Sequence, residues 1–154
     1  MPIKTVIVSG YFNPLHNGHL DLLESAAFLG DRLVVIVNSD LQVGLKGSCP
    51  LLDEKSRLRI IRALHVVDLA MLAVDKDGTV VQSLHNLRQV FDGELVFANG
   101  GDRETPNEAE AKTCEELGIK MIFGLGIKQE SSSQLIDNAL GWKMARKVEE
   151  LLQK

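Results

Sequence analysis

Short apolar runs rich in β-branched residues alternate along the chain with stretches whose apolar positions recur every three or four residues. The runs predict strands over Lys4–Ser9, Arg32–Asn38, Val67–Asp75, Glu94–Asn99 and Lys120–Gly124. VIVS and VVIV are nearly continuous apolar runs, as expected of strands covered on both faces. The intervening stretches show helical spacing at Leu20, Leu23 and Ala27, at Leu58, Ile61 and Leu64, and at Val81, Leu84, Leu87 and Val90. Asp53 is placed to cap the second of these helices, with Glu54 in its first turn. Pro106-Asn107 starts a further helix that Gly118 can end. Residues 141–154 read as a closing amphipathic helix, with Met144, Val148, Leu151 and Leu152 on one side.

Regular β-α alternation without an internal repeat or linker predicts one α/β domain over residues 1–154. The expected architecture is a Rossmann-like three-layer α/β/α sandwich around a five-stranded parallel sheet in the order 3-2-1-4-5. Such sheets bind ligands beyond the carboxyl ends of their strands. Those ends carry Ser9-Gly10, Asn38-Ser39-Asp40, Asp75, Asn99-Gly100-Gly101-Asp102 and Gly124. Ordinary turn chemistry accounts for Asp75 and Gly124, but not for the NGGDR segment or for the residues after the first strand.

Composition narrows the classes. The chain has 154 residues, 45% of them hydrophobic and 25% charged, which suits a globular domain. A formal charge of −4 argues against a dedicated nucleic-acid binder. Cys49 and Cys114 match no metal-ligand spacing and read as reduced thiols. The first residues, MPIKTVIVSGYF, lack the pattern of a signal peptide, and no apolar run approaches a membrane span. A soluble, cytoplasmic protein is expected.

The chemistry concentrates in Gly10-Tyr11-Phe12-Asn13-Pro14-Leu15-His16-Asn17-Gly18-His19. Gly10 lets the chain turn and approach a ligand. The N-terminus of the following helix offers amide donors and partial positive charge, an anion site to which His16 and His19 add side-chain donors. With 4 His and 13 Gly in the chain, an HxGH sequence arises by chance roughly one time in a hundred. His65 and His85 lack such surroundings and are read as structural.

GYFNPLHNGH resembles the signature of the cytidylyltransferase-like nucleotidyltransferases, G-x-F-(D/N)-x-x-H-x-G-H. Glu130-Ser131-Ser132-Ser133-Gln134-Leu135-Ile136 is similar to a second element of that family, a Ser/Thr-rich segment opening a late helix. The stretch LGDRLVVIVNSD, the later LKG and an arginine in the second helix extend the likeness across Val6–Ile136, nearest to the nucleotidyltransferase domain of ADP-heptose synthases and to glycerol-3-phosphate cytidylyltransferases.

The resemblance implies a fold of the HUP nucleotidylyltransferase type and the transfer of a nucleotide from ATP or CTP to a phosphorylated small molecule, releasing pyrophosphate. His16, His19 and Lys46 would be catalytic. Gly10, Tyr11, Phe12, Asn13, Gly18, Asn99, Gly100, Gly101, Asp102, Arg103, Ser131, Ser132 and Ser133 would border the nucleotide, and Lys46, Arg57, Arg103 and Lys128 would bind the acceptor phosphate. Taken alone, Arg57 lies in a charged helix, KSRLRIIR, whose ordinary reading is an exposed face. Mg²⁺ is expected to arrive with the triphosphate, since no carboxylate cage is evident. No nucleic acid or membrane partner is expected, and a homodimer is allowed.

Two features depart from the family pattern. GIKQESSS replaces an arginine-glycine run, with Lys128 supplying charge and Glu130 opposing it, and NGGDR stands where ADP-heptose synthases tend to carry KGGDY. The alternatives are a pyridine-nucleotide or pantetheine-phosphate adenylyltransferase, or a nucleotide-binding module without turnover. A dinucleotide-binding oxidoreductase is disfavoured by the absence of G-x-G-x-x-G after the first strand.

Overall fold

The computed structural model describes residues 2–100, 107–126, 144 and 146–153. Five parallel strands form one sheet in the order β3-β2-β1-β4-β5, as the alternation predicts. They are β1 (Lys4–Gly10), β2 (Arg32–Val37), β3 (Leu69–Leu72), β4 (Glu94–Gly100) and β5 (Lys120–Leu125). The helices are α1 (Asn17–Ala27), α2 (Asp40–Leu45), α3 (Glu54–Arg62), α4 (Val81–Val90) and α5 (Glu108–Leu117).

The apolar strand runs divide between two cores. Val6 and Val8 of β1 join Val35, Val37, Leu23, Ala26 and Ile61 beneath α1 and α3. Ile7 faces the other way and packs with Val34, Ile36, Phe97, Leu84, Leu87 and Cys114 beneath α4 and α5. Successive strand residues point to opposite faces, so a central strand covered twice must be apolar at nearly every position.

Several boundaries follow local chemistry. Asp53 caps α3 by accepting the Ser56 N–H at 2.7 Å. Asn107 does the same for α5 with Glu110 N, and Gly118 ends that helix at φ +69°, a left-handed conformation suited to glycine. The third strand is shorter than expected. Just before it, Asp68 donates its N–H to Leu33 O at 3.0 Å while its carboxylate takes the Leu33 N–H at 2.8 Å, and beyond Leu72 the chain turns toward α4. Val90, read as part of an apolar stripe, is 68% exposed because α4 docks through Leu84 and Leu87.

The apolar periodicity does not predict helix α2, although Ser39-Asp40-Leu41-Gln42 spells a capping box. Of the predicted closing helix, Met144 and residues 146–152 are helical, and Met144, Val148, Leu151 and Leu152 are all exposed. Residues 141–143, 145 and 154 lie outside the described residues.

Candidate active site

Residues 11–16 cross from the carboxyl end of β1 to the start of α1. Gly10 is required here for space. A Cβ on it would lie 2.7 Å from Cζ of Phe12, whose ring fills that position. Phe12 adopts φ +50° and is 2% exposed. The left-handed conformation costs roughly 1–2 kcal/mol, and burying the ring returns about 1.5–3 kcal/mol, so the burial holds the turn. The ring meets His19 edge-on, with centroids 5.0 Å apart. Phe12 therefore supports a histidine from below.

His16 caps α1. Its Nδ1 accepts the Gly18 N–H at 3.1 Å, while His19 Nδ1 accepts the His16 N–H at 3.1 Å. The two rings stack with centroids 3.7 Å apart. A neutral imidazole that accepts at Nδ1 carries its proton on Nε2. Both rings are thus set as Nε2–H donors.

This corrects the sequence picture of open amides at the helix start. The His19 and Leu20 N–H groups donate to His16 O, and that of Gly18 to the His16 ring. The imidazoles, rather than the amides they engage, carry the donor character of this terminus. Burial, reinforced by the electrostatic influence of neighbouring His16 and Lys46, lowers the His19 pKa to about 4. His19 is therefore neutral near pH 7 and offers a hydrogen bond without an unmatched buried charge.

Lys46 reaches the same place. It forms the C-cap of α2, and its Nζ lies 4.5 Å from the Tyr11 ring centroid. Helix α2 is held by a buried polar network centred on Gln42. The Gln42 Nε2 donates to Asp77 O and Thr79 O, and its Oε1 accepts from Asn38 Nδ2 and Ser39 N. The structural role of Gln42 is not legible in the sequence, because its partners lie up to 37 residues away.

Arg57 is a correction as well. Neither a solvated helix residue nor an open cation, it is 1% exposed. Its Nε donates to Leu52 O, Nη1 to Tyr11 O and Asn38 O, and Nη2 to Asp40 Oδ1 at 2.7 Å. Such a guanidinium braces the walls of a site. Asn13, 4% exposed, likewise turns its carboxamide to the chain, donating to Cys49 O and accepting from Leu51 N.

At the neighbouring strand end, Asn99 is buried, and its Nδ2 lies 3.5 Å from Ile122 O beside the register shift between β4 and β5. Gly100 closes β4. Asp75 faces α4, accepting the N–H groups of Gln82 and Ser83 and the Ser83 hydroxyl. That is turn-and-cap chemistry, as the sequence suggests. Among the described residues, no three of His, Cys, Asp and Glu gather as a metal cage. The ring N–H groups and the ammonium suit phosphate oxygens, not a cation.

The profile of the family described as cytidylyltransferase-like matches residues 7–133, from β1 through the serine segment. The chain belongs to this family of nucleotidyltransferases. It is 38% identical over 131 residues to the bifunctional protein HldE of Azorhizobium caulinodans, covering 77% of this chain and 27% of that protein. It is 43% identical over 72 residues to a FAD synthase of Thermoplasma volcanium, covering 47% of this chain and 51% of the relative. The structure of a lipopolysaccharide core biosynthesis protein from Thermoplasma volcanium superposes with a TM-score of 0.68 at 31% identity, covering 82% of this chain and 99% of that one. The chain thus spans about a quarter of the HldE relative's length.

Within this cytidylyltransferase-like fold the structure brings His16, His19, Tyr11 and Lys46 together. Gly101, Asp102, Arg103, Lys128, Ser131, Ser132 and Ser133 lie outside the described residues. Among the described residues, no helix is long and apolar enough to cross a membrane.

Proposed function

We propose that this domain transfers a nucleoside monophosphate from ATP or CTP to a phosphorylated small molecule and releases pyrophosphate. The observation that carries the reading is the stacked His16–His19 pair, set as Nε2–H donors at the start of α1 with Lys46 beside it.

An acceptor phosphate is already a nucleophile. One of its oxygens attacks the α-phosphorus in line, a new P–O–P linkage forms, and the α-phosphorus bond to the bridging oxygen breaks as pyrophosphate leaves. Such a step needs positioning and charge neutralisation rather than a covalent nucleophile. His16 and His19 hold the departing phosphates, where negative charge grows. Lys46 meets the α-phosphate or the acceptor. Mg²⁺ carried on the triphosphate would supply further neutralisation, and the described residues need not hold it. Ser131–Ser133, Gly101–Arg103 and Lys128 complete the site on the strength of the family resemblance.

The finer reading is ATP with a sugar phosphate. The likeness to ADP-heptose synthase domains, the HldE relative and the lipopolysaccharide core protein favour it. A second reading, assembly of a flavin dinucleotide, rests on the FAD synthase relative. Pyrophosphate release from each triphosphate against a panel of sugar phosphates, polyol phosphates and flavin mononucleotide tests both. Release with a sugar phosphate, and none with the unphosphorylated sugar, is expected. Equal turnover of the two forms sinks the proposal.

A further inference from the structure

Segment 47–52 runs almost wholly exposed between α2 and α3 and follows directly on Lys46. It has little apolar packing of its own, since Leu51 and Leu52 are 53% and 39% exposed. Two buried polar side chains hold it. Asn13 Nδ2 donates to Cys49 O at 2.9 Å, and Asn13 Oδ1 accepts the Leu51 N–H at 2.7 Å. Arg57 Nε donates to Leu52 O at 3.0 Å, and the same guanidinium reaches Tyr11 O at 2.8 Å. Asn13 thus joins the HxGH turn to residues 36 and 38 positions away, and Arg57 ties Leu52 to the same turn.

We propose that Asn13 is a positioning residue that acts through Lys46. Its carboxamide, with Arg57, fastens segment 47–52 to the turn so that the Lys46 ammonium stands over Tyr11 beside the histidine pair. This deepens the reading of the site as a nucleotidyltransferase centre, and it rests on that reading only for its kinetic consequence.

The bond polarity makes the claim specific. A carboxamide donates on one side and accepts on the other, and both capacities are in use. Aspartate keeps the shape and the acceptor for Leu51 N–H but turns a second oxygen toward the Cys49 carbonyl. Two acceptors cannot share that contact, so the bond to Cys49 O is lost and the residues next to Lys46 are loosened. Alanine releases the segment from both bonds. Arg57 is unsuited to the test, because a fully buried guanidinium with four hydrogen bonds supports the fold itself.

The first measurement needs no turnover. Lys46 Nζ lies 4.5 Å from the Tyr11 centroid, so the neighbouring methylene protons carry a ring-current shift readable by NMR on lysine-labelled protein. Tyr11→Leu sets the zero, and thermal melts establish that each variant is folded. In Asn13→Asp and Asn13→Ala the Lys46 signal is expected at the Tyr11→Leu position. If both folded variants keep the native shift, the proposal is overturned.

The second measurement is a kinetic cycle with the triphosphate and acceptor that the pyrophosphate-release panel selects. Misplacement of a catalytic group by about 1 Å can cost ~10²-fold in rate, so Asn13→Asp should lower kcat by roughly the factor seen for Lys46→Met. In the Lys46→Met background it should lower kcat no further, and losses that multiply would overturn the proposal. A native chain that transfers no nucleotide removes the proposed function alone, since the ring-current result stands without it.

Discussion

Helices α1 and α4 both begin at the carboxyl edge of the sheet, where helix N-termini carry partial positive charge, and their first turns are closed in opposite ways. At α4 the amides meet carboxylates: Val80 N donates to Glu110 Oε2 at 3.0 Å, and Gln82 N and Ser83 N donate to Asp75. At α1 the acceptors are imidazole nitrogens of His16 and His19. A carboxylate satisfies the amide and cancels the terminal charge. An imidazole satisfies the amide and presents a new N–H donor on the far side of its ring. The chemistry of the cap, more than the helix end itself, decides which terminus still presents a donor.

The sharpest way to break this comparison is to remove the donor. His19→Ala should lower kcat by ~10²–10³, the usual cost of losing a hydrogen bond made mainly as charge develops, while changing nucleotide affinity much less. Steady-state kinetics beside equilibrium binding checks this, and an unchanged kcat would show the pair to be structural. Converting one cap into the other is the next largest test. Aspartate is a good N-cap, so His16→Asp should leave the melting temperature near native. Its charge, about 4 Å from a phosphate at the effective dielectric of a protein surface, should weaken triphosphate binding by ~10-fold or more. Native affinity in titration calorimetry would refute the account of the α1 terminus.

The converse change belongs to α4. Asp75→Ala strands two backbone amides and a buried hydroxyl, so chemical unfolding should show a loss of about 2 kcal/mol, with nucleotide affinity unaltered. A shift in affinity comparable to that of His16→Asp would erase the distinction between the two termini. The smallest effect concerns pH. The His19 ring titrates at about 4 when folded and near 6.5 when unfolded. The unfolded state therefore takes up the proton first as pH falls. Stability is full above about pH 6.5 and declines toward pH 4, by on the order of 1 kcal/mol once partial solvent access is allowed for. His19→Gln should flatten that part of a denaturation–pH profile, and an unchanged slope would assign it to other groups.

What could be read before folding was what depends on near neighbours. The strands and helices show in local periodicity, and the Asp53 and Asn107 caps and the turn at Gly118 have their partners within a few residues. The HxGH motif was legible for the same reason, since His16, Gly18 and His19 complete each other inside one helical turn. The Ser39–Gln42 capping box was equally local, and α2 could have been found from it.

Tertiary structure decided what each polar side chain serves. KSRLRIIR looks like a solvated face, yet Arg57 is sealed beneath the site because its partners come from Tyr11 and Asn38, 46 and 19 positions away. Asn13 reads as a nucleotide contact in the motif and is found fastening residues 49–51. Gly10 reads as a flexible turn and is found making room for Phe12. Sequence by itself determined the sheet and its order, through the β-α alternation, and marked the HxGH motif at the start of α1, because periodicity and local capping follow from covalent neighbours. Which donors stay available and which are consumed by the chain was decided only on folding. A buried hydrogen-bonding group takes whatever partner the packed backbone brings to it, and leaving it without one costs about 1–3 kcal/mol.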